Sequence, residues 1–151
     1  MKQLELRRHA RRDPASDALS SEGRADAQGL GAQATATYDR VFVSPAARAA
    51  ETAAWFLRGS GQQLPDHAVV PGLAGRDATG GSPDGMAAGV HALLDQLPAG
   101  GRGLAISHTP FVERAAEGLG VPVGPMREGE GILVTQHDDG RIDVDELRLP
   151  G

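Results

Sequence analysis

Short apolar runs alternate along this chain with longer segments of helical periodicity, and this order limits the folds open to it. Residues 3–6, 40–43 and 103–106 have the apolar content and length typical of β-strands, and a helical segment follows each of them. A repeated strand–helix order predicts a mostly parallel central sheet with helices on both faces. We therefore expect an α/β fold, a three-layer α/β/α sandwich, in one domain spanning residues 1–151.

Four helices are expected, because four segments open with residues that typically begin a helix. A hydroxyl side chain can accept a hydrogen bond from a free amide of the first turn, and proline fits the first helical position. The start signals are Ser20, Ser44-Pro45, Ser82-Pro83 and Thr109-Pro110, and the helices are expected to end near residues 35, 58, 97 and 119.

The C-terminal part of the chain follows a different pattern. Residues 132–135 and 142–144 are short apolar-alternating runs on either side of Asp139-Gly140, which predicts a β-hairpin. Residues 68–70 are expected to form one more short strand. Residues 71–81 contain four glycines and no periodicity, so we expect a loop of the kind that often carries function.

The composition excludes several classes of partner. The net charge of -5 and the aromatic content of 3% argue against nucleic acid as a partner, in spite of the arginines at residues 7–12. No apolar run is long enough to span a membrane, and the N-terminus lacks the apolar segment of a secretory signal, so we expect a cytoplasmic protein. The sequence indicates no cofactor and no oligomeric state. His67, His91 and His137 lack metal-ligand spacing.

Histidines and arginines follow three of the predicted strands. Arg8-His9 ends the first strand, Arg48 lies in the first turn of the helix after the second, and His108 follows the strand at residues 103–106. Taken alone, Arg8-His9 is more simply a basic surface turn. However, ligands of parallel sheets bind beyond the carboxyl ends of the strands, where helix N-termini also attract anions. The arrangement therefore predicts a phosphate pocket, because guanidinium groups fit phosphate oxygens.

Four segments of the chain, in order, resemble the histidine phosphatase (phosphoglycerate-mutase-like) superfamily. The opening Arg8-His9 matches the family's Arg-His signature, and His108 lies in a segment similar to its second histidine motif. The other two segments, residues 19–24 and 43–53, resemble the family motifs Leu-Thr-Pro-Glu-Gly-Arg and Ser-Pro-x-x-Arg-x-x-x-Thr-Ala. The matching segments are residues 6–9, 19–24, 43–53 and 106–110. In length the chain is similar to the small phosphohistidine phosphatases of the family.

The resemblance implies a role for each of these residues. His9 would be the nucleophile and would carry the phosphoryl group as a phosphohistidine. Arg8 and Arg48 would bind the equatorial oxygens, and His108 would donate to the same oxygens in the transition state. Water would then release phosphate, with no metal required. Arg12 and Thr109 are further candidates for the phosphate pocket, with a solvated surface charge an equal alternative for Arg12.

Two departures from the family pattern affect these expectations. The family usually has glycine after the nucleophile, and Ala10 would be strained there by about 1–2 kcal/mol if the backbone had positive φ; a different turn is the alternative. The usual acidic residue after the third strand is also missing, since residues 73–75 are Leu-Ala-Gly. Asp77 is the nearest substitute as a general acid, and Asp84 is more simply a helix-cap residue.

The missing acid favours substrates with good leaving groups, because an alkoxide needs a proton more than an activated group does. We therefore predict a phosphatase that acts on a phosphorylated small molecule or a phosphohistidine protein. One alternative is a degenerate module that binds phosphate without turnover. A mutase is a weaker alternative, because a chain this short has little room for the insertions that would shield a phosphoenzyme from water.

Overall fold

The computed structural model describes residues 1–74 and 82–150, and shows four α-helices and a five-stranded sheet. The predicted Asp77 lies outside the described residues. In chain order the elements are β1 (Lys2–Arg8), α1 (Ser21–Gln33), β2 (Arg40–Val43), α2 (Ala47–Gly59), a 3₁₀ turn (Pro71–Ala74), α3 (Pro83–Asp95), β3 (Arg102–Ser107), α4 (Phe111–Gly118), β4 (Gly131–Gln136) and β5 (Ile142–Leu147).

The sheet is mixed, so the prediction of a mostly parallel sheet is wrong. Its strand order is β2-β3-β1-β4-β5; β3 is parallel to both β2 and β1, while β4 is antiparallel to both β1 and β5. The reason is the non-helical segment 119–130, which returns the chain to the end of β1 at which Arg7 pairs with Gly131. The predicted C-terminal hairpin is present, with Gly140 at a φ of 88° in its turn.

Two of the four predicted helix starts are confirmed. The hydroxyls of Ser20 and Ser82 accept from backbone amides of the first turns of α1 and α3, and Pro83 is the first residue of α3. The starts predicted at Ser44 and Thr109 are wrong. The caps of α2 and α4 are Ala46 and Pro110, which have no side-chain cap. The hydroxyls of Ser44 and Thr109 instead bond to side chains, as described below.

The expected strand at residues 68–70 is reduced to a single bridge between Val43 and Val69. Too few of its residues align with β2 to form a ladder. The bridge still has a structural consequence, because Val70 donates its amide to the carbonyl of Val43 and so extends the hydrogen bonding at the end of β2. The chain then enters the 3₁₀ turn, whose last residue, Ala74, borders the cavity described below.

Apolar residues on the two faces of the sheet are buried under different helices. On one face, Leu4, Leu6 and Ala105 share a core with α3 and α4. On the other, Val43, Leu104 and Ile106 share a core with α2 and Tyr38. These cores confirm the expected helical layers on both sides of the sheet. The parallel pairing of β1 with β3 places the ends of these two strands side by side.

Helix α1 packs closely on α2 because glycine is present on both helices at their contact. A Cβ atom at Gly31 would lie 1.7 Å from the carbonyl oxygen of Phe56, and one at Gly59 would lie 2.0 Å from that of Gln28. Any side chain at either position would separate the helices. Within the described ranges 1–74 and 82–150, no helix has both the length and the apolar character needed to cross a membrane.

Candidate active site

The two histidines singled out in the sequence meet at the carboxyl edge of the sheet. Arg8 is paired with Ser107 at the end of the β1–β3 ladder, and the amide of His9 donates to the carbonyl of Ser107 at 3.0 Å. This parallel register brings His9 and His108 together, with their ring centroids 5.3 Å apart and the rings inclined at 62°. The convergence expected at this edge is therefore present.

An open cavity of about 570 Å³ lies over this edge. It is lined by all six of the predicted site residues that the structure describes, namely Arg8, His9, Arg12, Arg48, His108 and Thr109. Glu128 also lines this cavity, although the sequence did not identify Glu128 as a site residue. Three arginines and one threonine from separate parts of the chain therefore surround two imidazoles.

The ring of His9 is held in one tautomer. Its Nδ1 lies 2.8 Å from the carbonyl oxygen of Ala10, and because a carbonyl only accepts, Nδ1 carries the hydrogen. The lone pair is then on Nε2. Burial, followed by the positive charges of Arg48 and Arg8, holds the pKa of His9 below its ordinary value, against an opposing effect of its bond to Ala10. His9 therefore presents a neutral imidazole with a nucleophilic Nε2.

Ala10 fits its position without strain. Among the described residues other than glycine, only His67 has a positive φ, so the penalty considered for Ala10 does not arise and the alternative turn applies. The Ala10 amide donates to the hydroxyl of Thr52 at 2.9 Å, and that hydroxyl donates to the carbonyl of Arg48 at 2.7 Å. These two bonds connect the turn after His9 to the first turns of α2.

Arg8 is held beside His9 but keeps unused donors. Its Nη1 donates to the carbonyl of Met126 at 2.8 Å, and the same atom lies 3.7 Å from a carboxylate oxygen of Glu128. Its Nε is buried and has no hydrogen-bond partner among the described residues. A buried donor without a partner costs about 1–3 kcal/mol. The guanidinium of Arg8 thus borders the cavity, held there by one terminal nitrogen.

His108 is bonded on both sides of its ring. Its Nε2 lies 2.6 Å from the hydroxyl of Ser44, and its Nδ1 lies 3.3 Å from Nη2 of Arg48. Because a guanidinium only donates, Nδ1 is the acceptor and Nε2 carries the hydrogen. Burial, then the charges of Arg48 and His9, lowers the pKa of His108 to about 4. The hydroxyl of Ser44 thus orients this imidazole, which explains why it does not cap α2.

Asp17 is a second site residue that the sequence analysis missed. One of its carboxylate oxygens accepts from Arg48 Nη1, and the other accepts from the amide of Ala47 at 2.8 Å, at the start of α2. The bond from Arg48, against a smaller effect of burial, lowers the pKa of Asp17. No sequence signal identified it, because it stands in a polar loop without a motif. The negative charge of Asp17 lies where a helix N-terminus and an arginine attract an anion.

Arg12 and Thr109 are on the outer part of the cavity. Both are exposed, and the hydroxyl of Thr109 donates to the carboxylate of Glu113. The contact with Glu113 explains why Thr109 does not cap α4. In the part of the chain that the structure describes, no group of three or more histidine, aspartate or glutamate side chains is placed to hold a metal ion.

Solved structures match the whole chain, although no protein-family model and no curated protein sequence does. The protein histidine phosphatase SixA, solved with tungstate, has 25% identity and a TM-score of 0.74, over 97% of this chain and 96% of that chain. The phosphoserine phosphatase of Entamoeba histolytica, solved with 3-phosphoglyceric acid, has 16% identity and a TM-score of 0.74, over 99% and 98% of the two chains.

A third neighbour is the phosphoglycerate mutase of Bacillus anthracis, with 15% identity and a TM-score of 0.71, over 96% of this chain and 92% of that chain. These proteins are members of the histidine phosphatase superfamily. The fold of the chain is therefore the histidine phosphatase fold, and the resemblance found in its sequence is confirmed. Small SixA phosphatases are among the structures that share it.

Proposed function

We propose that this protein is a phosphatase that hydrolyses a phosphomonoester or a phosphohistidine through a phosphohistidine intermediate on His9. The observation that carries the proposal is the neutral His9, whose Nε2 bonds to none of the described residues, in a cavity lined by Arg8 and Arg48. A nucleophilic nitrogen beside two permanent cations suits attack on an anionic phosphoryl group. The phosphatases among the structural neighbours support the same reaction.

In the first step, Nε2 of His9 attacks phosphorus and forms an N–P bond. The bond from phosphorus to the leaving group breaks in line, and the leaving group departs with the electron pair and takes a proton from water or a donor. Negative charge on the three remaining oxygens is stabilised by the guanidinium groups of Arg8 and Arg48, which both line the cavity.

His108 would assist by binding an oxygen of the phosphoryl group. Its low pKa results from burial and the charge of Arg48, and a bound dianion opposes that charge. The pKa of His108 should therefore rise when substrate binds, so that the ring can donate to a phosphoryl oxygen. Ser44 would keep the ring oriented meanwhile, through its bond to Nε2.

In the second step, water attacks the phosphohistidine. An O–P bond forms, the N–P bond breaks, and the electron pair returns to Nε2 of His9 as phosphate and a proton are released. The cavity is open, with Arg12 and Thr109 both exposed at its border, so water has access to the intermediate. Ready hydrolysis favours a phosphatase over the alternative of a mutase.

The substrate should be one with a good leaving group. Among the residues predicted from sequence, only Asp77 remains as a candidate general acid, and its role stays a proposal. Aryl phosphates and phosphohistidine leave with less need of a proton than an alkoxide does. A phosphohistidine protein or an activated small phosphoester is accordingly the proposed partner, without a metal or an organic cofactor.

The test is hydrolysis of p-nitrophenyl phosphate by the wild type, His9→Ala and the control His91→Ala, which changes an exposed histidine. We expect turnover in EDTA by the wild type and the control, and a loss of more than about a thousandfold in His9→Ala. Acid-quenched enzyme should carry phosphate on His9. A folded wild type that binds phosphate without turnover would instead identify a phosphate-binding module.

A further inference from the structure

Glu128 is a negatively charged residue beside a site that binds an anion. Its carboxylate lines the cavity and lies 3.7 Å from Nη1 of Arg8, and 37% of its side chain is exposed. Glu128 also acts electrostatically on Arg11, which already bonds twice to Asp26 at 3.0 and 2.7 Å. Glu128 is therefore not required to neutralise Arg11.

The backbone around Glu128 is held firmly against the end of β1. The amide of Gly129 donates to the carbonyls of Arg8 and His9, both at 3.1 Å. On the other side, the carbonyl of Met126 accepts from Arg8, and the amide of Arg127 donates to the buried carboxylate of Glu130 at 2.8 Å. Glu128 is thus placed beside the nucleophile by the same contacts that position Arg8.

A carboxylate in this place lowers the affinity for a phosphate dianion, because like charges repel. The same carboxylate favours a substrate whose remaining part is positively charged. In-line attack by His9 puts the leaving group on the side of phosphorus that faces away from the imidazole, toward the open part of the cavity. A cation on the leaving group would there lie within the field of Glu128.

We propose that Glu128 is a specificity residue that selects substrates whose leaving group carries a positive charge. This inference rests on the proposed phosphatase function. Such a leaving group also compensates for a weak general acid. In a phosphoryl imidazolium the distal nitrogen is already protonated, so the leaving group departs as a neutral imidazole when the phosphoryl group is transferred. The N–P bond breaks, the electron pair returns to the imidazole, and no further proton is needed. Protonated phosphohistidine is the natural substrate of this type.

The test compares two aryl phosphates with equal leaving-group pKa, one neutral and one with a trimethylammonium substituent on the ring. We expect the wild type to prefer the cationic ester by about fivefold in kcat/KM at low salt. Glu128→Gln should reduce this preference to about one, and Glu128→Lys should invert it. The control Glu117→Gln changes an exposed glutamate on α4 and should retain the preference. High salt should weaken it in the wild type.

The outcomes separate this inference from the function on which it rests. If the wild type and Glu128→Gln hydrolyse both esters with the same preference, Glu128 does not select the substrate, although the protein remains a phosphatase. An equal loss on both esters in Glu128→Gln would mean that Glu128 acts through Arg8, which also overturns the inference. If the folded wild type hydrolyses neither ester, the phosphatase function itself is wrong.

Discussion

Two clusters of charged side chains lie beside the segment 126–130, one around Glu130 and one around Arg8 and His9. They differ in how completely their polar atoms are hydrogen-bonded. In the first, the carboxylate of Glu130 is 1% exposed and each of its oxygens accepts two hydrogen bonds, from Arg127, Arg148 and the amide of Leu149. In the second, Nε of Arg8 is buried and, like Nε2 of His9, has no hydrogen-bond partner among residues 1–74 and 82–150.

The difference separates a structural cluster from the cluster that we propose to be reactive. Burial would raise the pKa of Glu130, but bonds from the backbone amides of Arg127 and Leu149 and from the guanidinium groups outweigh it and lower that pKa to about 2. The cluster is complete and holds the C-terminal segment on the fold. The His9 cluster instead lines an open cavity, and we propose that a phosphoryl group binds there. Changes to the two clusters should therefore affect different properties.

The largest expected effect is on activity, in Arg8→Met. Removing the guanidinium removes a stabilising charge from the transition state, and we expect kcat/KM for p-nitrophenyl phosphate to fall about a thousandfold. Thermal stability should change less than activity, because removal of the buried Nε partly offsets loss of the bond to Met126. The control Arg141→Met, at an exposed residue in the β4–β5 turn, should change neither. A large loss of stability in Arg8→Met would make Arg8 a structural arginine.

The next effect is on stability, in Glu130→Gln. The variant leaves the guanidinium groups of Arg127 and Arg148 without their buried counter-charge, and we expect the free energy of unfolding to fall by about 3 kcal/mol. Urea denaturation measures it, with Glu117→Gln as the exposed control. Activity per folded molecule should fall far less than in Arg8→Met. If Glu130→Gln were as stable as the wild type, the contrast between the clusters would be wrong.

A smaller effect concerns the dependence of stability on pH. His108 has a pKa of about 4 in the folded protein, below the ordinary 6.5. As the pH falls below 6.5, the unfolded chain binds a proton that the folded protein does not, so His108 progressively destabilises the fold down to pH 4. The contribution approaches roughly 2–3 kcal/mol at the end of this range.

Urea denaturation between pH 4.5 and 7.5 tests this expectation, because most of the range lies above the titration of Glu130. The pH dependence should be shallower in His108→Gln than in the wild type. If the free energy of unfolding of His108→Gln depends on pH as steeply as that of the wild type, the pKa of His108 is not lowered in the folded protein.

The smallest effect is expected for Asp17→Asn. Asparagine retains an acceptor for the amide of Ala47 but removes the negative charge that competes with phosphate for Arg48. Inorganic phosphate should inhibit the variant about threefold more strongly at low salt, and the difference should shrink at high salt. Weaker inhibition would mean that Asp17 positions Arg48 rather than competing for it.

Much of the fold could be predicted because its signals are local. The caps at Ser20 and Ser82, the periodicity of the helices and the Asp139-Gly140 turn act within a few residues, so the structure confirms them. The direction of β4 could not be predicted, because it depends on the path of a segment without periodicity. The caps expected at Ser44 and Thr109 were wrong because α2 and α4 begin later, and the two hydroxyls bond to His108 and Glu113.

The sequence by itself determined which residue types could form a phosphate site and that strand ends would bring Arg8, His9 and His108 together. Only the tertiary structure decided their chemical state: the tautomer of each imidazole, the unpaired Nε of Arg8, and the carboxylates of Asp17 and Glu128 that oppose the arginines. The physical reason is that charge and hydrogen bonding act through space. Asp17 reaches Arg48 across 31 residues of chain, and no local pattern records such a contact.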